Sequence, residues 1–120
     1  MGEAMEKIKK TLVAKHQVVC AEKNGGMLEG AFRAGEAFLH EGDDYYVLKL
    51  AAFPFAYYLR KNKNADANYT IFARRRESPC GVRLQDPVGK ASLVDELKSH
   101  LEIHIPILRL NLFMNLYPVQ

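Results

Sequence analysis

The residues that could do covalent or metal chemistry are the histidines, the two cysteines and a pair of adjacent acids. His100 and His104 stand at i and i+4 in His100-Leu101-Glu102-Ile103-His104, the spacing that lets a helix present two imidazoles to one metal. The glutamate does not directly follow the first histidine as it does in HExxH. Pro106 also draws Ile105 away from helical geometry. With no third ligand at motif spacing, the expectation is two unrelated surface histidines, and neither a metal nor any other cofactor.

Cys20 lies in an apolar run four positions from His16, on the same face if the run is a strand. Cys80 follows Pro79 near Arg74–Arg76, where neighbouring cations could activate a thiol, although most loop cysteines beside arginines are inert. No GxSxG, Gly-rich phosphate loop or isolated pair of buried acids is present. Asp43-Asp44 lacks EF-hand spacing and reads as a solvated turn. No motif supports an enzyme.

The positive signal is the stretch Phe55–Arg76, FAYYLRKNKNADANYTIFARRR. Two strand-like runs, Phe55–Arg60 and Tyr69–Arg76, flank an Asn- and Asp-rich connection suited to a reversal, so the stretch predicts a β-hairpin. Alternation puts Phe55, Tyr57 and Leu59 on one face and Tyr58 with Arg60 on the other. Likewise Tyr69, Ile71 and Ala73 oppose Thr70, Phe72 and Arg74. Tyr58, Arg60, Phe72 and Arg74 therefore share one candidate surface, with Lys61, Lys63, Arg75 and Arg76 at its margins. Cations hold phosphates and exposed rings stack single-stranded bases, so the pattern points to nucleic acid. An acidic protein partner, or a solvated hairpin whose charges discourage edge-to-edge association, fits the same residues.

Charge is distributed in keeping with that surface. The 120 residues carry a net charge of +3, and eight bases against three acids fall between Arg60 and Lys90, so the remainder of the chain is slightly acidic. Length and composition, 48% apolar and 26% charged, match one globular domain covering residues 1–120. Two cysteines sixty positions apart, with no CxxC, suit idle thiols in a reducing compartment. The first fifteen residues lack the apolar core of a secretory signal, and no apolar run is long enough to span a bilayer. A cytoplasmic protein without membrane partners is expected.

The elements that must position these residues read as follows. Glu3–Lys15 places Met5, Ile8 and Leu12 on one face of an amphipathic helix. Gln17–Lys23 and Met27–Arg33 form a hairpin about Asn24-Gly25-Gly26, with Gly30 suggesting a bulge. Ala34-Gly35 reads as a reversal before a short strand, Glu36–His40. Tyr45–Phe53 is apolar on both faces apart from Lys49 and reads as a central strand. Val82–Gln85 is a short strand, and Ser92 caps a helix from Leu93 to about Leu101. Ile103, Ile105 and Ile107 alternate, then Leu108 to Met114 alternate one register later, which predicts a final strand slipped just after Pro106; a second helix from Ile107, with Pro106 at its first turn, is the alternative. The expected class is α+β, an antiparallel meander of seven or eight strands, curled or partly closed into a barrel, with a helix near each end. The apolar run Ile103–Val119 offers a rival function, an oligomerising or adaptor domain that pairs its last strand across a subunit interface.

Overall fold

Period-two alternation organises the structure, a computed structural model that describes residues 13–40, 42, 44–54, 56–63, 68–73, 75–78, 81–84 and 87–119, with 75–78 and 81–84 as backbone only. Along β1 (Val13–Asn24), His16 and Val18 are buried while Lys15 and Gln17 are exposed. The same rule places Ala37 of β2 (Met27–His40), Leu48 of β3 (Tyr45–Leu50), Leu59 of β4 (Ala56–Lys61) and Ile71 of β5 (Tyr69–Phe72) on one side. Ala91 of β8 (Pro87–Leu93), Ile103 of β9 (His100–His104) and Met114 of β10 (Leu112–Asn115) complete that face. Eight strands with one apolar face each bury it most completely by curling round until the first meets the last.

They do so. The sheet is a closed antiparallel barrel in the order β1-β10-β9-β8-β5-β4-β3-β2, sealed where Val18, Val19 and Cys20 pair with Met114, Phe113 and Leu112. Each wall strand neighbours the next in sequence, the up-and-down arrangement. Between β5 and β8 the chain makes a separate two-stranded ribbon, β6 (Arg75–Ser78) with β7 (Gly81–Leu84). The interior is a single apolar cluster that includes Val18, Leu48, Leu59, Ile71, Leu101 and Met114. Each such leucine or isoleucine contributes about 1.5–3 kcal/mol by leaving water.

The α+β expectation is therefore corrected to an all-β barrel. Among the described residues there is no α-helix, and the one helical turn is a 3-10 turn at Pro106–Leu108. The expected helix over Leu93–Leu101 does not form, because β8 runs on through Leu93 and β9 opens at His100. Leu101 belongs to the inward series with Ile103 and Ile105, all buried, and that sheet burial outweighs a three-leucine helical stripe. Of the expected N-terminal helix, residues 3–12 lie outside the described residues, and Val13–Lys15 are already strand.

The phase slip at Pro106 marks a change of strand. Proline has no N–H for the ladder and its fixed φ suits a first helical position, so β9 stops at His104 and the 3-10 turn begins. Arg109, at φ 53°, then reverses the chain into β10. Ala34-Gly35 is a register shift within the continuous strand β2, where the sequence reads as a reversal. Gly35 and Gly89 lie so close to β3 and β9 that a Cβ would collide with the carbonyl oxygens of Lys49 and His104. The β1–β2 hairpin turns at Gly25-Gly26, and a second register shift falls opposite Gly30, whose φ is 61°. Its Leu28 packs with Val19 and Leu97 against Ala21, Val94 and Phe113, a small apolar cluster apart from the main one. No helix among the described residues is long and apolar enough to cross a membrane.

Candidate functional site

The β4–β5 hairpin contributes opposite faces to the barrel and to its surface. Inward, Tyr57, Leu59 and Ile71 are buried. Outward, Tyr58 and Phe72 are direct cross-strand partners, both half-buried, and the Tyr45 ring meets Tyr58 at 6.0 Å, nearly edge-on. Neighbouring rings on one pleated face brace one another. One pleat along, Arg60 faces Thr70, Thr70 faces Lys90 of β8, and Lys90 faces His104 of β9. Arg60 is 57% exposed, and its Nε lies 3.8 Å from a carboxylate oxygen of the exposed Asp44. At that length and exposure the pair is worth little.

Lys61 and Lys63 are exposed at the end of the hairpin. That end is held by local bonds: Thr70 Oγ1 donates to Asn62 Oδ1 at 2.7 Å, and the Asn62 N–H donates to the Asn68 carbonyl at 2.9 Å. Asn68 Oδ1 also accepts from the Leu93 N–H, which ties the hairpin to β8. The structure thus brings Tyr58, Arg60 and Phe72 together on the outer face, while Lys61, with the parity of the inward Tyr57 and Leu59, is exposed where β4 ends and Lys63 lies past that end. Arg74 lies outside the described residues. Arg75 and Arg76 open β6, with Arg76 paired to Arg83 in the ribbon. The sequence reading did not place Lys90 and His104 on this surface because they arrive from other strands. The available signal was that Lys90 precedes the inward Ala91 and so points out.

The chemical candidates resolve differently. His100 and His104 lie on a strand, where four positions span about 13 Å, too far apart to share one ion. His100 Nδ1 lies 2.8 Å from Ser99 Oγ, and burial lowers the His100 pKa. No cluster of three or more metal-ligating side chains occurs among the described residues. His16 and Cys20 both alternate inward on β1 but are separated by the same strand distance, so they form no dyad.

His16 instead belongs to a polar group inside the barrel. It is only 3% exposed, its Nδ1 donates to the Asn115 carbonyl at 2.9 Å, and its ring meets Tyr46 edge-on at 5.2 Å. A carbonyl only accepts, so Nδ1 is the donor, while Nε2 is buried without a hydrogen-bond partner among the described residues. Tyr46 in turn meets Tyr69 at 5.6 Å. Burial first, and then Tyr69, push the Tyr46 phenol up to about 12. Burial raises Tyr57 as well.

Comparison with protein-family models, curated proteins and solved structures finds no match to this chain.

Proposed function

We propose that the protein binds single-stranded nucleic acid on the outer face of β4, β5 and β8. The observation that carries this reading is the outward cross-strand pair Tyr58–Phe72, bordered by the exposed cations Arg60, Lys61, Lys63 and Lys90. In this reading the rings stack bases and the cations hold phosphates; each stacked base contributes about 1–3 kcal/mol, largely independent of sequence. Strand pairing across β4, β5 and β8 fixes the backbone beneath the rings, Arg60 and Lys90, so little backbone ordering is left for the moment of binding. An acidic protein could use the same cations but would have less use for two adjacent rings. The unpaired Cys20 supports placing the protein in the reducing cytoplasm.

The rival reading, strand pairing through the C-terminal run, finds little support. Both sides of β10 are taken, by β1 and β9, and Leu112, Phe113 and Met114 are buried. Self-association would have to use side chains beyond the strand.

Fluorescence anisotropy with labelled single-stranded DNA and RNA, at about 50 and 200 mM salt, tests the proposal. Four phosphate contacts imply a log–log salt slope near −2.8, hence an affinity loss of roughly 50-fold across that range. Phe72→Ala should weaken oligonucleotide binding and leave any binding of polyglutamate unchanged. Absence of oligonucleotide binding at the lower salt overturns the reading.

A further inference from the structure

A concavity lies at one mouth of the barrel, and none of its residues belongs to the hairpin face. Cys20, Phe32, Ala34, Leu50, Phe53 and Leu110 line an almost wholly apolar pocket of about 250 Å³. Beyond it the barrel is filled by buried side chains, among them Val18, Leu48 and Leu112, so the pocket is a cup in the mouth instead of a channel. Its rim carries apolar surface that folding has left in water: Phe32 is 62% exposed and Leu110 38%. Exposed apolar surface beside a cavity is characteristic of a binding site.

A more polar groove of about 290 Å³ shares Arg33, Leu50 and Ala51 with the pocket and adds Glu36 and Lys49. Charge there is unbalanced. A single oxygen of Glu36 takes both Arg33, at 2.6 Å, and Lys15, at 3.2 Å. The hydrogen bond from Lys15, with both cations nearby, lowers the Glu36 pKa despite some desolvation, so that carboxylate is ionised at neutral pH. Lys49 stands opposite Glu36 in the β2–β3 ladder but makes no ion-pair contact among the described residues, and its ammonium lies 5.8 Å from the centre of the Phe38 ring. Two cations, Arg33 and Lys49, line the groove with one anion, which Lys15 also engages, so the groove is positive.

We infer that this mouth binds a small amphiphilic carboxylate, with its apolar body in the pocket and its head group in the groove near Lys49 and Arg33. The volume sets the size of the body. An apolar cavity of about 150 Å³ holds benzene, so this pocket has room for a ring with a short linker or a medium-length alkyl chain. The positive groove selects an anionic head over a neutral one.

Cys20 supplies the readout. In a Cys80→Ser background it is the sole thiol, and it is half-buried in the pocket wall. Octanoate at about 5 mM, above a Kd on the order of 1 mM, should slow reaction of Cys20 with a thiol reagent several-fold and shift the Ala51, Ala52 and Phe53 amide resonances. Ala52 is exposed at the pocket, so Ala52→Trp should fill the cup and abolish both effects while circular dichroism stays that of the barrel. Lys49→Glu should weaken octanoate about tenfold and leave 1-octanol unchanged. No protection and no shifts in the Cys80→Ser protein would overturn the site. Equal losses of octanoate and octanol in Lys49→Glu would overturn the anionic head group.

Discussion

The two faces of the β4–β5 hairpin differ by one residue of register and by almost everything else. Tyr57, Leu59 and Ile71 are sealed in the barrel, while Tyr58, Arg60 and Phe72 stand at its surface beside Lys90. Successive residues on a strand point to opposite faces, so one short segment holds the fold together and offers a surface for recognition. Within the paired part of the hairpin, stability and binding should therefore separate by residue parity, with Lys61, exposed at the strand's end, as the one cation of inward parity. The largest test is on the inner face. Leu59→Ala opens a cavity in a fully buried layer and should cost about 2–5 kcal/mol in urea unfolding. The protein that remains folded should bind oligonucleotide as wild type does. A Leu59→Ala protein that is stable but does not bind would break the separation.

Backbone proximity gives the next largest effect. Gly89 of β8 lies beside Ile71 on one side and against the His104 carbonyl and Ile105 on the other. A methyl group there must push two strands of the wall apart. Gly89→Ala is expected to cost about 1–3 kcal/mol, the range for overpacking, read from the shift in urea midpoint. Because it moves β8 and with it Lys90, this substitution is also the one expected to link the faces by weakening binding modestly.

The hairpin was legible in the sequence because two period-two runs bordered by Asn and Asp announce themselves locally, and its two faces follow from alternation alone. Closure was not legible, since it depends on β1 meeting β10, almost a hundred residues apart, and no local signal encodes that pairing. The helix expected at Leu93–Leu101 illustrates the limit. Leu93, Leu97 and Leu101 carry helical spacing, yet Leu101 also starts the alternating series with Ile103 and Ile105, and the barrel settles which period governs. The surface was read in part. Tyr58, Arg60 and Phe72 come from one hairpin, whereas Lys90 joins them across the β5–β8 ladder, a neighbour only the register reveals. His16 likewise acquires its environment from Tyr46 and Asn115, far away in sequence.

Inside the barrel, Tyr46 provides a graded test of how completely the inner face is sealed. Its phenol titrates near 10 when unfolded and at about 12 in the barrel. The folded state thus holds a proton that the unfolded chain releases above pH 10. The stabilisation is complete below about pH 10 and is lost as pH rises towards 12, by up to roughly 2 kcal/mol. Tyr57 shifts in the same direction, so the informative quantity is the difference between wild type and Tyr46→Phe. Urea midpoints at about pH 9 and pH 11.5 should converge more closely in the variant. An equal alkaline loss in both proteins would mean that water reaches Tyr46.

The smallest expected change in stability is on the outer face, where the comparison with Leu59 is sharpest. Arg60 is adjacent to Leu59 in sequence, yet its side chain is mostly in water and its ion pair with Asp44 is long and exposed. Arg60→Gln removes that pair and the charge but leaves a shorter polar side chain in water, so unfolding should shift by no more than about 0.5 kcal/mol. Binding should respond differently: losing one phosphate contact lowers affinity and reduces the salt slope by about 0.7. The slope is the discriminating quantity, because a mild loss of folded protein lowers apparent affinity equally at every salt concentration. If affinity fell with the slope unchanged, Arg60 would be supporting the Tyr58–Phe72 pair without touching phosphate, and the outer face would read bases through rings that Arg60 holds in place.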